Sequence, residues 1–167
     1  NKHMTDIKIP TLVGEAFDRF LKFICDGKKS FNELLEQPLE KYIEQYFSYE
    51  DLKQLNDHVP THVLIGKGRK VEVHYEVGTA PYIKGRIQDF YGVTDNPTIC
   101  KGQIKLVVRL TSPKGQEVQA TQNLSSFWKT SYPTLKKELA RNYPRHFWPE
   151  NPESAPPEFL LRNVKNH

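Results

Sequence analysis

The stretch 61–76, THVLIGKGRKVEVHYE, predicts the centre of the fold. Its second half alternates apolar Val71, Val73 and Tyr75 with polar residues, which is the period of a β-strand with one buried face. The first half, HVLIG, is typical of a further strand, and Gly66-Lys67-Gly68 provides the turn that sends the chain back. The stretch therefore predicts two strands joined by a tight turn.

A second hairpin is predicted farther along the chain. Residues 103–110, QIKLVVRL, alternate apolar and polar side chains, with Lys105 and Arg109 on the polar side. Ser112-Pro113-Lys114-Gly115 has the form of a type I turn with Pro at its second position. We therefore expect 103–110 to pair antiparallel with 117–122, EVQATQ.

An inserted helix is predicted between the two hairpins, over residues 81–92, PYIKGRIQDFYG. Ile83, Ile87 and Phe90 recur at spacings of four and three, and Gly92 follows as a helix stop. Gly85 weakens this helix, because glycine has a low helix propensity.

The first third of the chain, residues 5–58, predicts a helical lead. Residues 11–26 carry apolar side chains at spacings of three and four, so this helix should cover a core. These side chains are Val13, Phe17, Phe20, Leu21 and Ile24. Ser30-Phe31-Asn32-Glu33 forms a capping box before a second helical run, within which Pro38 can start a new helix. Ser48 caps a further short helix.

Together these patterns predict an α+β fold. It would have a helical N-terminal lead, a small antiparallel sheet or partly open barrel with an inserted helix, and an amphipathic C-terminal helix. We expect the lead, residues 5–58, to pack as one domain with the α+β module, residues 59–149. The Pro-rich stretch 150–167 predicts an extended tail, either a strap or disordered.

Length and composition narrow the class of protein. A chain of 167 residues has the size of one core. No apolar run approaches the roughly 18 residues of a membrane-spanning helix, and no secretory signal pattern is visible, so a cytoplasmic protein without a membrane partner is expected. Cys25 and Cys100 are too few for a disulfide framework and are expected to be free thiols.

The positive charge lies in the second half of the chain. Residues 1–58 hold 8 basic and 11 acidic side chains, whereas residues 59–149 hold 14 and 6. A basic half favours an anionic partner there, nucleic acid being the usual one.

The motifs of catalysis and metal binding are missing from the sequence. There is no G-x-x-x-x-G-K-[ST] phosphate loop and no G-x-S-x-G nucleophile elbow. His58 and His62 have a metal-ligand spacing, but Pro60 breaks the helix that would align them. His74 is predicted to be a surface histidine rather than a ligand. No catalytic, metal-binding or cofactor-binding residue is therefore predicted.

The segment 124–149, LSSFWKTSYPTLKKELARNYPRHFWP, interleaves aromatic and basic side chains. On a helical projection of 124–143, the large apolar residues fall on one arc and should face the core. They are Trp128, Tyr132, Leu135, Leu139 and Tyr143. The cations fall on a separate arc, which is typical of phosphate contacts and equally of a solvated face. Pro133 can divide the helix, and Trp148 is expected to pin the tail to the domain.

Three segments of the second half resemble one family: residues 61–76, 81–92 and 96–152. The most specific parts are 110–129, LTSPKGQEVQATQNLSSFWK, and 132–152, YPTLKKELARNYPRHFWPENP. They are similar to the C-terminal region of the bacterial HrpB-type ATP-dependent RNA helicases, members of the DEAH/RHA group of DExH-box enzymes.

The resemblance implies a cytoplasmic multidomain parent in which two RecA-like domains bind ATP and translocate on RNA. None of the family's ATPase motifs is present, so the resemblance implies a non-catalytic accessory module. ATP and a divalent metal would belong to the helicase core, and this chain would need no cofactor of its own.

The leading hypothesis is that this module assists weak, sequence-independent binding of RNA or another single-stranded nucleic acid, with its own helicase core as the second partner. The predicted contacts are Lys129, Lys136, Lys137, Arg141 and Arg145, with Lys105 and Arg109 as secondary contacts. The alternative is a protein-interaction or intramolecular docking module that braces the helicase core or recruits a partner. A large exposed apolar patch would favour the alternative. A third reading, an independent enzyme, requires a pocket with convergent titratable groups.

Overall fold

The computed structural model of the chain describes residues 12–158 and divides after Val59 into two units. In the described part of the chain, unit 1 (residues 1–59) contains helices, and unit 2 (residues 60–167) contains the sheets and two further α-helices. The packing of the helical lead and the module as one domain stays a prediction.

The described residues of unit 1 form four helices, and the starts of the last three follow the sequence signals. The helices are α1 (Glu15–Cys25), α2 (Phe31–Leu34), α3 (Leu39–Tyr46) and α4 (Tyr49–His58). Ser30 Oγ accepts a hydrogen bond from the Glu33 backbone N–H at 3.4 Å, and Ser48 Oγ accepts one from the Asp51 N–H at 3.1 Å. Both predicted N-caps are therefore present, and Pro38 stands directly before α3.

Few side chains of unit 1 are fully buried. Among its described residues, Phe20 and Tyr42 belong to the buried class, and the Phe20 ring packs edge-on against Tyr46 with centroids 5.2 Å apart. Of the other residues on the predicted apolar face, Val13, Phe17 and Leu21 are exposed and Ile24 is partly buried. The helix prediction is right, but most of its apolar face covers no core here.

Unit 2 is built on a five-stranded sheet in the order β1-β2-β3-β6-β7. The strands are β1 (His62–Ile65), β2 (Arg69–His74), β3 (Tyr82–Arg86), β6 (Val107–Thr111) and β7 (Glu117–Thr121). A separate two-stranded sheet pairs β4 (Thr98–Ile99) with β5 (Ile104–Lys105). Both predicted hairpins, β1–β2 and β6–β7, are confirmed as antiparallel pairs. The alternation in β2 is confirmed for Val71 and Val73, but Tyr75 lies beyond the strand and is exposed.

The prediction of an antiparallel sheet is wrong in one respect: the sheet is mixed, because β3 pairs with β6 in parallel. Of the two predicted alternatives, the described part of the chain has the sheet, which is open at β1 and β7. The cause of the parallel pairing is the connection between β3 and β6, residues 87–106, which crosses over and returns the chain in the same direction. The α+β class itself is confirmed.

The inserted helix predicted over 81–92 is also wrong. The segment forms β3 and then a single 3₁₀ turn, Ile87–Phe90. Gly85 explains the geometry: a Cβ there would lie 2.9 Å from Phe90 Cε2, so glycine lets the Phe90 ring fold back over the strand. The buried Asp89 carboxylate holds the turn by accepting two hydrogen bonds from the Arg86 guanidinium, at 3.0 and 3.2 Å.

The predicted strand 103–110 is split in two. Ile104 and Lys105 belong to the small sheet, whereas β6 begins at Val107. The Leu106 N–H donates to the Pro97 carbonyl at 2.9 Å, so the chain changes sheets at this residue. Lys105 and Arg109 are consequently not neighbours on the polar side of one strand.

Two helices cover one face of the large sheet, α5 (Leu124–Thr130) and α6 (Tyr132–Asn142). The helix drawn over 124–143 is therefore divided, and Pro133 lies in the first turn of α6, where its missing N–H costs nothing. Side chains from both helices share a core with alternate residues of the strands. This core includes Val71, Ile83, Val108, Leu110, Leu124, Phe127, Trp128, Tyr132 and Leu139.

Candidate nucleic-acid interface

The aromatic side of α5 and α6 is buried. Trp128 is 3% exposed and its Nε1–H donates to the Val93 carbonyl at 2.7 Å, while Tyr132 is 1% exposed. Rings enclosed in this way cannot stack on bases. The helical projection is therefore right to assign these aromatic residues to the core.

The exposed side of α6 carries unpaired cations. Lys137 and Arg141 lie one helical turn apart, about 6 Å along the axis, and Arg145 follows the helix end. These three residues, which we call the basic ridge, are exposed and make no ion pair within residues 12–158. Glu138 is exposed on the same helix and is the acid nearest to them in sequence.

The β6–β7 turn contacts the residue that follows the C-terminal end of α6. The Tyr143 hydroxyl donates to Ser112 Oγ at 3.4 Å, which places the β6–β7 turn beside this end of the helix. Lys114 is exposed within that turn. It is a further exposed cation of unit 2, and the sequence prediction did not include it.

The other two predicted helix contacts are engaged by acids. Lys129 Nζ lies 3.9 Å from a Glu153 carboxylate oxygen, and Lys136 forms an ion pair with Glu150. The Lys136 side chain is only 17% exposed. Among residues 12–158, the five cations predicted in the segment 124–149 thus form two groups: three without an ion pair and two that pair with acids.

Both acids belong to residues 147–158, which we call the strap. The strap returns along unit 2 and is anchored through its backbone. Tyr132 donates to the Pro149 carbonyl at 3.0 Å, and the Gly92 N–H donates to the Pro152 carbonyl at 2.9 Å. Pro152 and Pro157 are buried, so this segment is part of the packed unit.

Two buried phenols hold the beginning of the strap. Tyr91 donates to the Phe147 carbonyl at 3.1 Å and lies 3.4 Å from the Tyr132 hydroxyl. Burial raises the pKa of Tyr132 to about 12, and burial together with the Tyr132 hydrogen bond raises the pKa of Tyr91. Both hydroxyls therefore stay protonated near neutral pH and can donate to the strap.

Trp148, the second residue of the strap, also anchors it to the domain. It is half-buried against the core, and its Nε1–H donates to the Tyr143 carbonyl at 2.9 Å. Farther along, His146 Nδ1 lies 3.0 Å from a carboxylate oxygen of the buried Glu158. Residues 159–167, the rest of the predicted tail, lie outside the described residues.

Arg109 lies on the opposite face of the sheet from α6. Val108 and Leu110 point into the core below the helices, so Arg109 between them points away. Its guanidinium carbon is 3.6 Å from the Tyr82 ring centroid, and His74 stacks on Tyr82 with centroids 4.8 Å apart. Arg109 therefore has a structural contact and does not join the basic ridge.

Acids near this face reduce its positive charge. Tyr82 donates to a Glu76 carboxylate oxygen at 2.7 Å. That hydrogen bond, burial, and the carboxylates of Glu76 and Glu117 raise the pKa of Tyr82. Lys105 is exposed on the separate small sheet, where it pairs with Thr98. Of the two secondary contacts predicted from the sequence, Arg109 lies on the far face of the large sheet and Lys105 belongs to a different sheet.

Sequence reasoning missed the strap glutamates. The sequence signal for them is the run Pro149-Glu150-Asn151-Pro152-Glu153, in which acids lie beside prolines that stiffen the backbone. This run does not reveal the partners of the acids, because Glu150 pairs with a residue 14 positions earlier in the chain.

Unit 1 contains an apolar groove of about 360 Å³. It lies between α1, α2 and α3, and its lining includes Leu21, Ile24, Phe31, Leu34, Leu35 and Leu39. Phe31 is 81% exposed and Leu35 is 75% exposed. Large apolar side chains at this exposure are typical of surfaces that bind another protein segment.

Unit 2 contains a cavity of about 500 Å³ between the β1–β2 turn, Gly92 and the strap. Its titratable lining residues are Lys67, Tyr91 and Glu153, without a histidine or a cysteine. Nowhere in residues 12–158 do three His, Cys, Asp or Glu side chains converge as a metal site would need.

Within the same residues, the helices are too short or too polar to cross a bilayer. The cytoplasmic location stays a prediction.

Comparison with known proteins gives consistent results. The family model for the ATP-dependent helicase C-terminal region, HrpB_C, matches residues 20–152. The ATP-dependent RNA helicase HrpB of Escherichia coli (strain K12) is 34% identical over 105 residues, which are 63% of this chain and 13% of that protein.

Two solved structures have the same fold. The crystal structure of E. coli DExH-box NTPase HrpB superposes with a TM-score of 0.82 at 27% identity, covering 93% of this chain and 20% of that one. The crystal structure of Escherichia coli DEAH/RHA helicase HrpB gives 0.56 at 22% identity, covering 87% and 22%. This chain thus spans about a fifth of the length of each solved chain and 13% of the length of the curated relative. It belongs to the HrpB_C family, the C-terminal region of ATP-dependent helicases.

Proposed function

We propose that this chain is a non-catalytic accessory module of an ATP-dependent RNA helicase and that it holds single-stranded nucleic acid through the basic ridge. The main support for the proposal is that Lys137, Arg141 and Arg145 are exposed and form no ion pair in the described part of the chain. ATP and a divalent metal would bind the helicase portion outside this chain.

The proposed contacts are electrostatic. Lysine and arginine side chains neutralise phosphates and release counterions, which gives affinity without reading the base sequence. Base stacking would contribute little, because Trp128 and Tyr132 are buried. The interaction should therefore be weak and strongly dependent on salt.

The salt dependence tests this proposal. For three phosphate contacts on a single strand, log K should fall with log[salt] with a slope of about −2. Between about 50 and 200 mM salt, the affinity for an oligouridine of about 12 nucleotides should therefore fall roughly 20-fold. Fluorescence anisotropy with labelled oligouridine measures this.

An oligocytidine of the same length is the control for sequence independence, and its affinity should agree within about twofold. An affinity that does not change with salt, or a strong preference between the two oligomers, would contradict phosphate contact.

A second candidate function is supported by the apolar groove of unit 1. We propose that this groove packs against the helicase portion that precedes the C-terminal region in the HrpB relatives. The match covers 13% of the curated relative, so most of that protein is available as the docking partner. Phe31 and Leu35, which are exposed in this chain, would be buried in the longer polypeptide.

Replacing Phe31 and Leu35 by serine in the full-length helicase should lower its unfolding free energy by about 2 kcal/mol or more, because two large apolar side chains lose their burial. The same pair of changes in the isolated chain is the control and should have little effect, since both residues are exposed there. Thermal unfolding measures both. Equal responses in the two proteins would exclude docking through this groove.

A further inference from the structure

The strap brings two anions to the cations of α5 and α6. Glu150 pairs with Lys136, and Glu153 lies 3.9 Å from Lys129. Both lysines were predicted as phosphate contacts from their place in the sequence. Each is instead beside a carboxylate of the same chain.

The positions of these acids are fixed by the fold. Glu150 lies between two anchored carbonyls, Pro149, which accepts from Tyr132, and Pro152, which accepts from Gly92. Glu153 also accepts a hydrogen bond from Ser125 Oγ at 3.1 Å. The fixed φ of Pro149 and Pro152 narrows the backbone choices further. The strap therefore presents its carboxylates to the lysines in a defined way.

We propose that Glu150 and Glu153 are built-in competitors for nucleic-acid phosphate, which occupy Lys136 and Lys129 and confine binding to the basic ridge. The inference rests on the proposed function. A phosphate carries the same sign of charge as a carboxylate and can replace it at a lysine. Binding to the paired lysines therefore requires the strap acids to be displaced.

The exposure of the acids makes this displacement feasible without unfolding the strap. The Glu150 side chain is 97% exposed, so it can swing into solvent while the Pro149 and Pro152 carbonyls stay anchored. An ion pair with so exposed a partner is weak and easily screened. The Glu153 side chain is 27% exposed and is held by Ser125, so this carboxylate should move less readily than that of Glu150.

The double variant Glu150→Gln, Glu153→Gln tests the proposal. Glutamine keeps the size of the side chain and can still accept from Ser125, but it leaves both lysines without a carboxylate. Affinity for oligouridine of about 12 nucleotides at about 50 mM salt should rise about three- to tenfold. The salt slope should steepen by about 1.4, because two further lysines contact phosphate.

The matched control is Glu72→Gln, Glu117→Gln, which removes the same charge from exposed positions on β2 and β7. It should raise affinity less and leave the slope unchanged. An unchanged thermal midpoint verifies that the strap stays in place in both variants.

The outcomes separate the two proposals. A steeper slope and tighter binding in the strap variant than in the control support the competition. Equal behaviour of the two variants, with clear binding by the unmodified chain, overturns the competition and leaves the proposed function intact. No binding by any of the three proteins overturns the proposed function and the competition with it.

Discussion

Asn96→Asp should lower the free energy of unfolding by about 3 kcal/mol, a large effect for one isosteric change. The Asn96 amide is buried and donates to the Leu106 carbonyl at 2.9 Å and to the Thr121 carbonyl at 3.1 Å. Its oxygen accepts from the Leu124 N–H at 2.9 Å. Aspartate would lose both donated bonds and place a buried carboxylate against two carbonyl oxygens. Urea unfolding followed by tryptophan fluorescence measures the loss.

Asn123→Asp is the control, because it makes the same chemical change at an exposed site. Asn123 caps α5 by accepting from the Ser126 N–H at 2.9 Å, and aspartate is an equally good N-cap. This variant should stay within about 0.5 kcal/mol of the unmodified chain. Similar losses in the two variants would show that Asn96 does not join β7, α5 and the segment before β6 as described.

The parts of the fold that the sequence predicts are those determined by near neighbours. The β6–β7 hairpin follows from the turn at 112–115, and α3 follows from Pro38. The parallel pairing of β3 with β6 depends on how residues 87–106 cross over, which no local pattern records. The helical spacing of 81–92 led to a wrong prediction. Phe90 packs against Gly85 because the chain folds back after the strand, and not because the segment is a helix.

For the candidate site, too, the sequence predicts what depends on near neighbours and not what depends on the path of the chain. The separation of buried aromatic residues from exposed cations follows from helical geometry, so Trp128 and Arg141 are assigned correctly to core and surface. The pairing of Lys136 with Glu150 depends on where the chain returns after α6. The placement of Arg109 on the far face required knowledge of which side of the sheet the helices cover.

Reversing the charge of the basic ridge should have the largest effect on binding. Counterion release from three phosphate contacts contributes about two to three orders of magnitude in affinity at about 50 mM salt. The triple variant Lys137→Glu, Arg141→Glu, Arg145→Glu loses this contribution and adds repulsion. Its affinity for single-stranded RNA should fall at least about 30-fold. All three side chains are exposed, so the fold should be unaffected.

The control triple variant is Lys67→Glu, Lys84→Glu, Lys101→Glu, which changes the net charge equally at exposed sites elsewhere on unit 2. It should weaken binding by less than about fivefold, because it alters only the long-range field.

The most direct test of the nucleic-acid role is therefore one titration of labelled oligouridine at about 50 mM salt with the unmodified chain and these two triple variants. We expect measurable binding by the unmodified chain, a loss of at least about 30-fold in the ridge variant, and nearly full binding by the control variant. Equal losses in the two variants would contradict binding through the basic ridge, since affinity would then follow net charge and not the surface formed by Lys137, Arg141 and Arg145.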